Sequence, residues 1–268
     1  MKAAAVEKFG SLQLIELPMP SPGPYDALCE LLYGAVCTGT DSHIIEGSFP
    51  WISRLPTVLG HESIGRVVEL GAKVRNYCVG DLVTRVGTPP CPSKGVSVTW
   101  GGFAEFGIAK DHWAMCRDGL PEAEWKGFRV NQVIPRGIAP TTAPMLTTWR
   151  ENLSYLQRLG VKQGASVLIA GSGGNGLSFA RLASNLGAFV ALAGAPALEG
   201  AAKAMAGVEL YFNYKRKELA QELNASRPGG FDFIIDAVGK NGVAESVLPC
   251  LREGGVYGIY GIDELGNI

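Results

Sequence analysis

"SVLIAGSGGNG", residues 166–176, joins a short apolar run to a glycine-rich turn. Just beyond it, Phe179, Leu182, Ala183 and Leu186 recur at helical spacing. Strand, turn and helix thus follow one another, and Gly171, Gly173 and Gly176 satisfy G-x-G-x-x-G within the turn. In that setting the first glycine allows a tight turn, the second lets backbone approach a pyrophosphate, and the third lets the helix pack closely on the strand. The helix N-terminus then faces the anion. The stretch predicts a dinucleotide site with Gly171, Gly173, Gly174, Asn175 and Gly176 around the phosphates. The plainer alternative is an ordinary glycine turn.

The same alternation continues downstream. "FVALAG" at 189–194, "VELYF", "FDFIIDAVG" and "GGVYGIYG" read as strands. Between the last two, Val243, Val247, Leu248 and Leu251 form a helical stripe. Strand and helix in alternation predict an α/β unit, a parallel sheet covered on both faces, over residues 151–268. Residues 1–150 read differently. Short alternating runs at 26–36, 63–70 and 80–86 are separated by turn-rich segments such as "PMPSPGPYD" and "GTPPCPSKG". They predict a barrel or sandwich of short strands.

Composition narrows the function. The 268 residues are 47% hydrophobic and 18% charged, with a net charge of −1. That balance describes a globular chain with no basic field for nucleic acid or an anionic membrane. Neither a signal peptide nor a membrane-spanning run is recognisable, so a soluble cytoplasmic protein is expected. Six cysteines show no C-x-x-C and no paired spacing, which suggests neither a disulfide framework nor a zinc ribbon.

Cofactor choice is read from the end of the second strand of the α/β half. An acid there would hold the adenosine ribose hydroxyls. Ala193, Gly194 and Ala195 occupy the place instead, and Tyr214, Lys215 and Arg216 follow the next strand. The missing carboxylate and the nearby cations lean toward NADP(H) over NAD(H). Gly194, Ala195, Tyr214, Lys215 and Val238 complete the expected cofactor-binding set. An acid introduced at Gly194 is expected to reverse the preference. In the alternative reading the cations only begin a solvated helix.

The chain has three histidines, His43, His61 and His112. In "TVLGHESIGRV", residues 57–67, His61 and Glu62 stand side by side. Upstream, "VCTGTDSH", 36–43, places a cysteine, a hydroxyl residue, an aspartate and a histidine in one short segment. Thiolate and imidazole are ordinary zinc ligands, and a catalytic zinc keeps few protein ligands. Taken singly, Cys37 is more often a buried small apolar residue and His61 a structural histidine. Gly60, His61, Glu62, Gly65 and Val67, followed by Gly71, Val74 and "GD" at 80–81, resemble the signature of zinc-containing alcohol dehydrogenases of the medium-chain dehydrogenase/reductase family. The resemblance covers essentially the whole chain and implies a GroES-like catalytic domain joined to a Rossmann domain, with the active site in the cleft between them. It further implies that Cys37 and His61 are zinc ligands, that Glu62 is a further ligand or a supporting carboxylate, and that Thr40 and His43 relay the substrate proton. Cys37, Thr40, His43, His61 and Glu62 are therefore the expected catalytic set.

Four departures qualify the resemblance. "CTGTD" is one residue longer than the family's turn. The lobe of four closely spaced cysteines is missing, and only Cys91 remains, so one catalytic zinc and no structural zinc are expected. Pro144 or Thr147 stands where a further Cys, Asp or Glu ligand belongs, with Glu151 the nearest carboxylate. The family also continues beyond "GIYGIDELGNI", so the chain reads as C-terminally incomplete; where that part is present, a homo-oligomer, dimer or tetramer, is expected. The implied activity is hydride transfer between a small alcohol, polyol or sugar and a nicotinamide cofactor. A zinc-free quinone or enone reductase of the same fold and a non-catalytic nucleotide-binding relative are the alternatives.

Overall fold

A computed structural model describes residues 1–52 and 54–264. The chain divides into two compact units, Met1–Thr147 and Thr148–Ile268.

The first unit is built from short strands. These are β1 (Lys2–Lys8), β2 (Ser11–Glu16), β3 (Asp26–Ala35), β4 (Thr57–Val58), β5 (Glu62–Leu70), β6 (Leu82–Thr84), β7 (Ser97–Val98) and β8 (Phe106–Lys110). They form two four-stranded sheets, ordered β2-β1-β4-β7 and β6-β5-β3-β8. The alternation in β3 and β5 sends Ala27, Cys29 and Val67 into a core shared with Tyr77, Val83, Val86 and Ala109. Helix α1 (Thr38–Glu46) leaves the end of β3, and the short helices α2 (His112–Arg117) and α3 (Glu122–Trp125) follow β8. The antiparallel register of β3 on β5 sets Ala35 opposite Glu62 and Gly34 opposite Ser63. That register brings the start of α1 beside the His61–Glu62 pair, although they lie far apart in sequence.

The second unit opens with helix α4 (Leu146–Leu159), whose first residues belong to the first unit. It continues through β9 (Ser166–Ala170), α5 (Gly174–Asn185), β10 (Phe189–Gly194), α6 (Glu199–Ala206) and β11 (Leu210–Asn213). It then runs through α7 (Leu219–Ser226), β12 (Phe231–Asp236), α8 (Asn241–Val247) and β13 (Leu251–Ile259). All neighbouring strands pair in parallel, in the order β11-β10-β9-β12-β13. This is the Rossmann arrangement, and the strand order reverses beside β9. Every residue of β9 is buried. Val167 and Ile169 join the core under α5, whereas Leu168 and Ala170 join the core on the other face with Leu223, Phe231 and Ile234. Burial on both faces explains why β9 reads as an unbroken apolar run. The stripe predicted through Leu251 ends sooner, because Pro249 turns Leu248–Cys250 into a 3₁₀ turn and Leu251 already begins β13. Among the described residues no helix is long and apolar enough to cross a membrane.

Candidate active site

The glycine turn lies at the C-terminal end of β9, next to the strand-order reversal. Gly171 has φ +110°, where a side chain is strained, and a Cβ there would come within 2.9 Å of Val238. At Gly176 a Cβ would sit 2.0 Å from the Gly171 carbonyl oxygen, so only glycine lets α5 approach the turn. Gly173 and Gly174 differ: a Cβ on either would meet nothing within 4 Å. Gly173 precedes α5 in an extended conformation, and no side chain caps the helix. The first N–H groups of α5 are thus left for an external acceptor, beside open space. Asn175, half-buried in the first turn of α5, accepts a hydrogen bond from Asn152 Nδ2 at 3.3 Å.

Three residues not expected to matter from the sequence hold the surrounding loops. Ser172 Oγ accepts from the Ala195 N–H at 2.9 Å, and Tyr211 donates its hydroxyl to the Ala195 carbonyl at 2.6 Å. Both fix the exit from β10. Asp236, fully buried at the end of β12, accepts from the N–H groups of Val238 and Gly239 at 2.8 Å each and from the Tyr257 hydroxyl at 2.7 Å. It fixes the loop that carries Val238 against the glycine turn. Ser172 is visible in the motif only as a variable position, and Asp236 as one acid at a strand end.

Gly194 pairs with Asn213 in the register of β10 on β11, and the Tyr214 N–H donates to the Gly194 carbonyl at 3.2 Å. Tyr214 and Lys215 therefore lie beside the end of β10. The Lys215 ammonium is 5.8 Å from the Tyr214 ring centroid, and Arg216 pairs with Glu222 at 2.7 Å. Gly194 itself is a packing glycine, because a Cβ would fall 2.4 Å from Ser172 Cβ and 2.6 Å from Tyr211 Oη. The expected effect of an acid at Gly194 needs correcting for this reason: such a change breaks the turn before it tests cofactor preference. Ala195, half-buried and already bearing a Cβ, is the position open to that test.

In the first unit, Cys37 immediately precedes α1, and its thiol lies 3.5 Å from Thr40 Oγ1. Asp41, one residue on and 2% exposed, accepts from the Cys37 N–H at 2.9 Å, while its Oδ1 has no hydrogen-bond partner. Burial pushes the Asp41 carboxyl up to about 6 against the Cys37 hydrogen bond, with the charge of Glu62 adding to the rise. The His43 Nδ1 is 2.7 Å from Ser48 Oγ, just past the end of α1. His61 precedes β5, and Glu62, buried, begins it; His61 Nε2 is 3.9 Å from Glu62 Oε1. Burial, helped by Arg85, holds the His61 imidazole down at about 4. It is therefore neutral at pH 7, and the contact with Glu62 is not an ion pair there. Pro144 is buried in the 3₁₀ turn Ala143–Met145, and Thr147 Oγ1 is buried without a hydrogen-bond partner.

The donor chemistry fits a zinc ion. A neutral imidazole whose buried Nδ1 has no hydrogen-bond partner stands beside a buried carboxylate. The expected set of three is not assembled, however: among the described residues no three His, Cys, Asp or Glu side chains are grouped to hold a metal. Cys37 sits at the start of α1 with its thiol toward Thr40, and Pro144 supplies no donor. The second unit fits a dinucleotide through the space above Gly173 and Gly174 and the uncapped start of α5.

Residues 23–118 match the family model described as the alcohol dehydrogenase GroES-like domain. The chain is 28% identical over 273 residues to D-arabinitol dehydrogenase 1 of Uromyces fabae, covering 98% of this chain and 75% of that relative. It is 27% identical over 266 residues to the NADP-dependent isopropanol dehydrogenase of Thermoanaerobacter brockii, covering 95% of this chain and 74% of that relative. A crystal structure from Sinorhizobium meliloti, assigned as a zinc-binding dehydrogenase and solved bound to NADP, superposes with a TM-score of 0.78 at 26% identity. That match covers 99% of this chain and 78% of the other.

Proposed function

We propose, from the premise that this chain belongs to the medium-chain dehydrogenase/reductase family, that it is a zinc-dependent oxidoreductase passing hydride between an alcohol or polyol and NADP(H). The observation that carries the reading is the glycine turn, open above Gly173 and Gly174, at the strand-order reversal of the parallel sheet.

The uncapped N–H groups of α5 bind the pyrophosphate, and Asn175 lies in the same turn. Ala195, held by Ser172 and Tyr211, keeps the ribose end free of carboxylate. Lys215 and Tyr214, beside it, receive a 2′-phosphate through charge-assisted bonds. A nicotinamide cofactor held by these groups would supply the hydride acceptor. Zinc bound at His61 and Glu62, with Cys37 the expected third ligand although it is not grouped with them among the described residues, would supply Lewis-acid polarisation of the substrate oxygen. Thr40 and His43 take the hydroxyl proton toward solvent, which is acid–base work suited to an imidazole. The NADP-dependent isopropanol dehydrogenase and the arabinitol dehydrogenase among its relatives support both the cofactor and the substrate class.

A zinc-free reductase of quinones or enones is the second reading. It is favoured by Pro144 or Thr147, in place of a Cys, Asp or Glu, at the expected ligand position and by the absence of three grouped donors among the described residues. Zinc stoichiometry after dialysis, measured beside NADP⁺ reduction for wild type and His61→Ala, separates the two. Zinc near one per chain, lost together with alcohol oxidation in the variant, supports the first reading. Zinc-free protein that reduces enones with NADPH equally well with and without His61 supports the second.

A further inference from the structure

Two non-glycine residues have left-handed backbone among the described residues: Arg85 at φ 54° and Trp100 at φ 68°. Such residues are uncommon, carry strain, and persist where the surroundings dictate them. These two are also neighbours in space. The Arg85 guanidinium carbon lies 5.5 Å from the Trp100 ring centroid. The Trp100 ring in turn lies 5.0 Å from the His61 ring, tilted by 52°.

The backbone holding Trp100 is fixed on both sides. The Thr99 N–H donates to the Val58 carbonyl at 2.8 Å, and the Gly102 N–H to the Gly60 carbonyl at 2.8 Å. Thr99 and Thr57 share a hydroxyl hydrogen bond at 2.8 Å. The Trp100 carbonyl presses so closely on Gly87 that a Cβ there would come within 1.9 Å of it. At Arg85, the N–H donates to the Ser63 carbonyl at 2.6 Å and the carbonyl accepts from Asn131 Nδ2 at 3.0 Å. Both strained residues are thus anchored to the segment that carries His61 and Glu62.

Trp100 remains 39% exposed. Buried Phe49 lies edge-on to it at 6.3 Å and edge-on to Trp51 at 5.1 Å, and Trp51 is 69% exposed. Two partly exposed indoles joined by a buried phenyl make an aromatic shelf that begins beside His61. A tryptophan kept in a strained conformation with much of its surface in solvent offers that surface to something arriving from solvent.

We propose that Trp100, backed by Arg85 and Phe49, is a specificity-determining wall that selects alcohols bearing a flat ring directly on or around the carbinol carbon. The inference rests on the dehydrogenase reading above. Aromatic faces pair at centroid separations of about 4.5–7 Å. Trp100 is within that distance of the imidazole, so a ring stacked on it leaves room for no long spacer before the reacting carbon. An aryl carbinol offers a π face and a sugar ring a face of C–H groups; an open-chain polyol offers neither. The reaction balances in both cases: the carbinol C–H leaves as hydride to NADP⁺, and the hydroxyl proton goes to solvent.

The test uses zinc-loaded wild type, Trp100→Gly and Trp100→Phe with NADP⁺. Glycine adopts the Trp100 backbone without strain, so the first variant removes the indole and relieves the turn. Benzyl alcohol and D-glucose are the ring substrates, and 2-propanol and sorbitol the open-chain ones. We expect the ratio of kcat/KM for ring over open-chain alcohols to fall at least tenfold in Trp100→Gly. The loss should lie mainly in KM, and Trp100→Phe should restore most of the ratio. Whichever of benzyl alcohol or glucose wild type prefers identifies the kind of ring. An unchanged ratio, whether activity falls uniformly or stays level, overturns the inference. Should wild type oxidise no alcohol, calorimetric binding of the same ring compounds decides. Saturable binding that Trp100→Gly weakens tenfold retains the wall and rejects the reaction, and binding equal in both proteins rejects the wall.

Discussion

Replacing Gly176 with alanine is expected to separate the two jobs of the glycine turn. The added Cβ would lie 2.0 Å from the Gly171 carbonyl oxygen, against an ordinary contact of at least 3.4 Å. Helix α5 or the turn therefore has to retreat by roughly 1.4 Å, and neither is a flexible side-chain end. Overpacking of this kind costs about 1–3 kcal/mol. In a unit of this size that lowers Tm by roughly 3–6 °C for each kcal/mol. The same retreat pulls the N–H groups of α5 away from the pyrophosphate. A hydrogen bond to a charged group contributes about 1.5–3 kcal/mol, so losing one weakens NADP⁺ by roughly ten- to a hundredfold. Gly173→Ala is the matched control, because its Cβ meets nothing within 4 Å and its φ of −69° suits alanine. It should leave Tm within about 1 °C and still weaken the cofactor, since the methyl occupies the open approach. Thermal unfolding and fluorescence titration with NADPH read both variants. Gly176→Ala with wild-type Tm and wild-type affinity would refute the packing argument, and Gly173→Ala with unchanged affinity would refute the placement of the pyrophosphate.

Two further outcomes follow from single side chains. Ala195→Asp should lower NADP(H) affinity by about tenfold or more and raise that of NAD(H), because a carboxylate there accepts from ribose hydroxyls and repels a 2′-phosphate. Titrating both cofactors checks it, and the wild-type preference for NADP(H) should shrink as salt rises. Asp111, fully buried, meets a burial penalty that hydrogen bonds from the N–H groups of Arg75, Ala114 and Asn76 and from the Asn76 side chain outweigh, so its carboxyl is held below the ordinary value of 3.8. A lowered carboxylate contributes stability that is present above the unfolded-state value and is lost as pH falls through the folded one. Asp111→Asn should therefore lower Tm at pH 7 and flatten the acid limb of a Tm–pH profile below about pH 4; an acid limb as steep as in wild type contradicts this.

What the sequence discloses depends on how local the cause is. The five residues of β9 are buried on both faces, so the sheet's centre is legible as an apolar run. The glycine turn is legible because its steric needs lie within six residues. The end of α8 is misjudged because apolar spacing continues through Leu251 while Pro249 stops the helix. Gly194 illustrates the limit on function: as a sequence position it is a gap where an acid belongs, and only the approach of Ser172 and Tyr211 shows it to be packed shut. Asp236 stays hidden for the same reason, since Tyr257 lies 21 residues away. The nearness of the start of α1 to Glu62 comes from the register of β3 on β5, which no spacing within either segment encodes. The sequence points to that site through a family signature alone, and the signature names donors without arranging them.

Hydride transfer itself is most directly tested with alcohols deuterated at the carbinol carbon. Zinc-loaded protein is incubated with NADP⁺ and 2-propanol, benzyl alcohol or sorbitol so labelled, and the nicotinamide is read by proton NMR. Deuterium from at least one alcohol should appear at C4 of the reduced ring, on one face only, and none should appear with His61→Ala. Wild-type protein that holds zinc and binds NADP⁺, yet transfers no deuterium from any of the three, would contradict this.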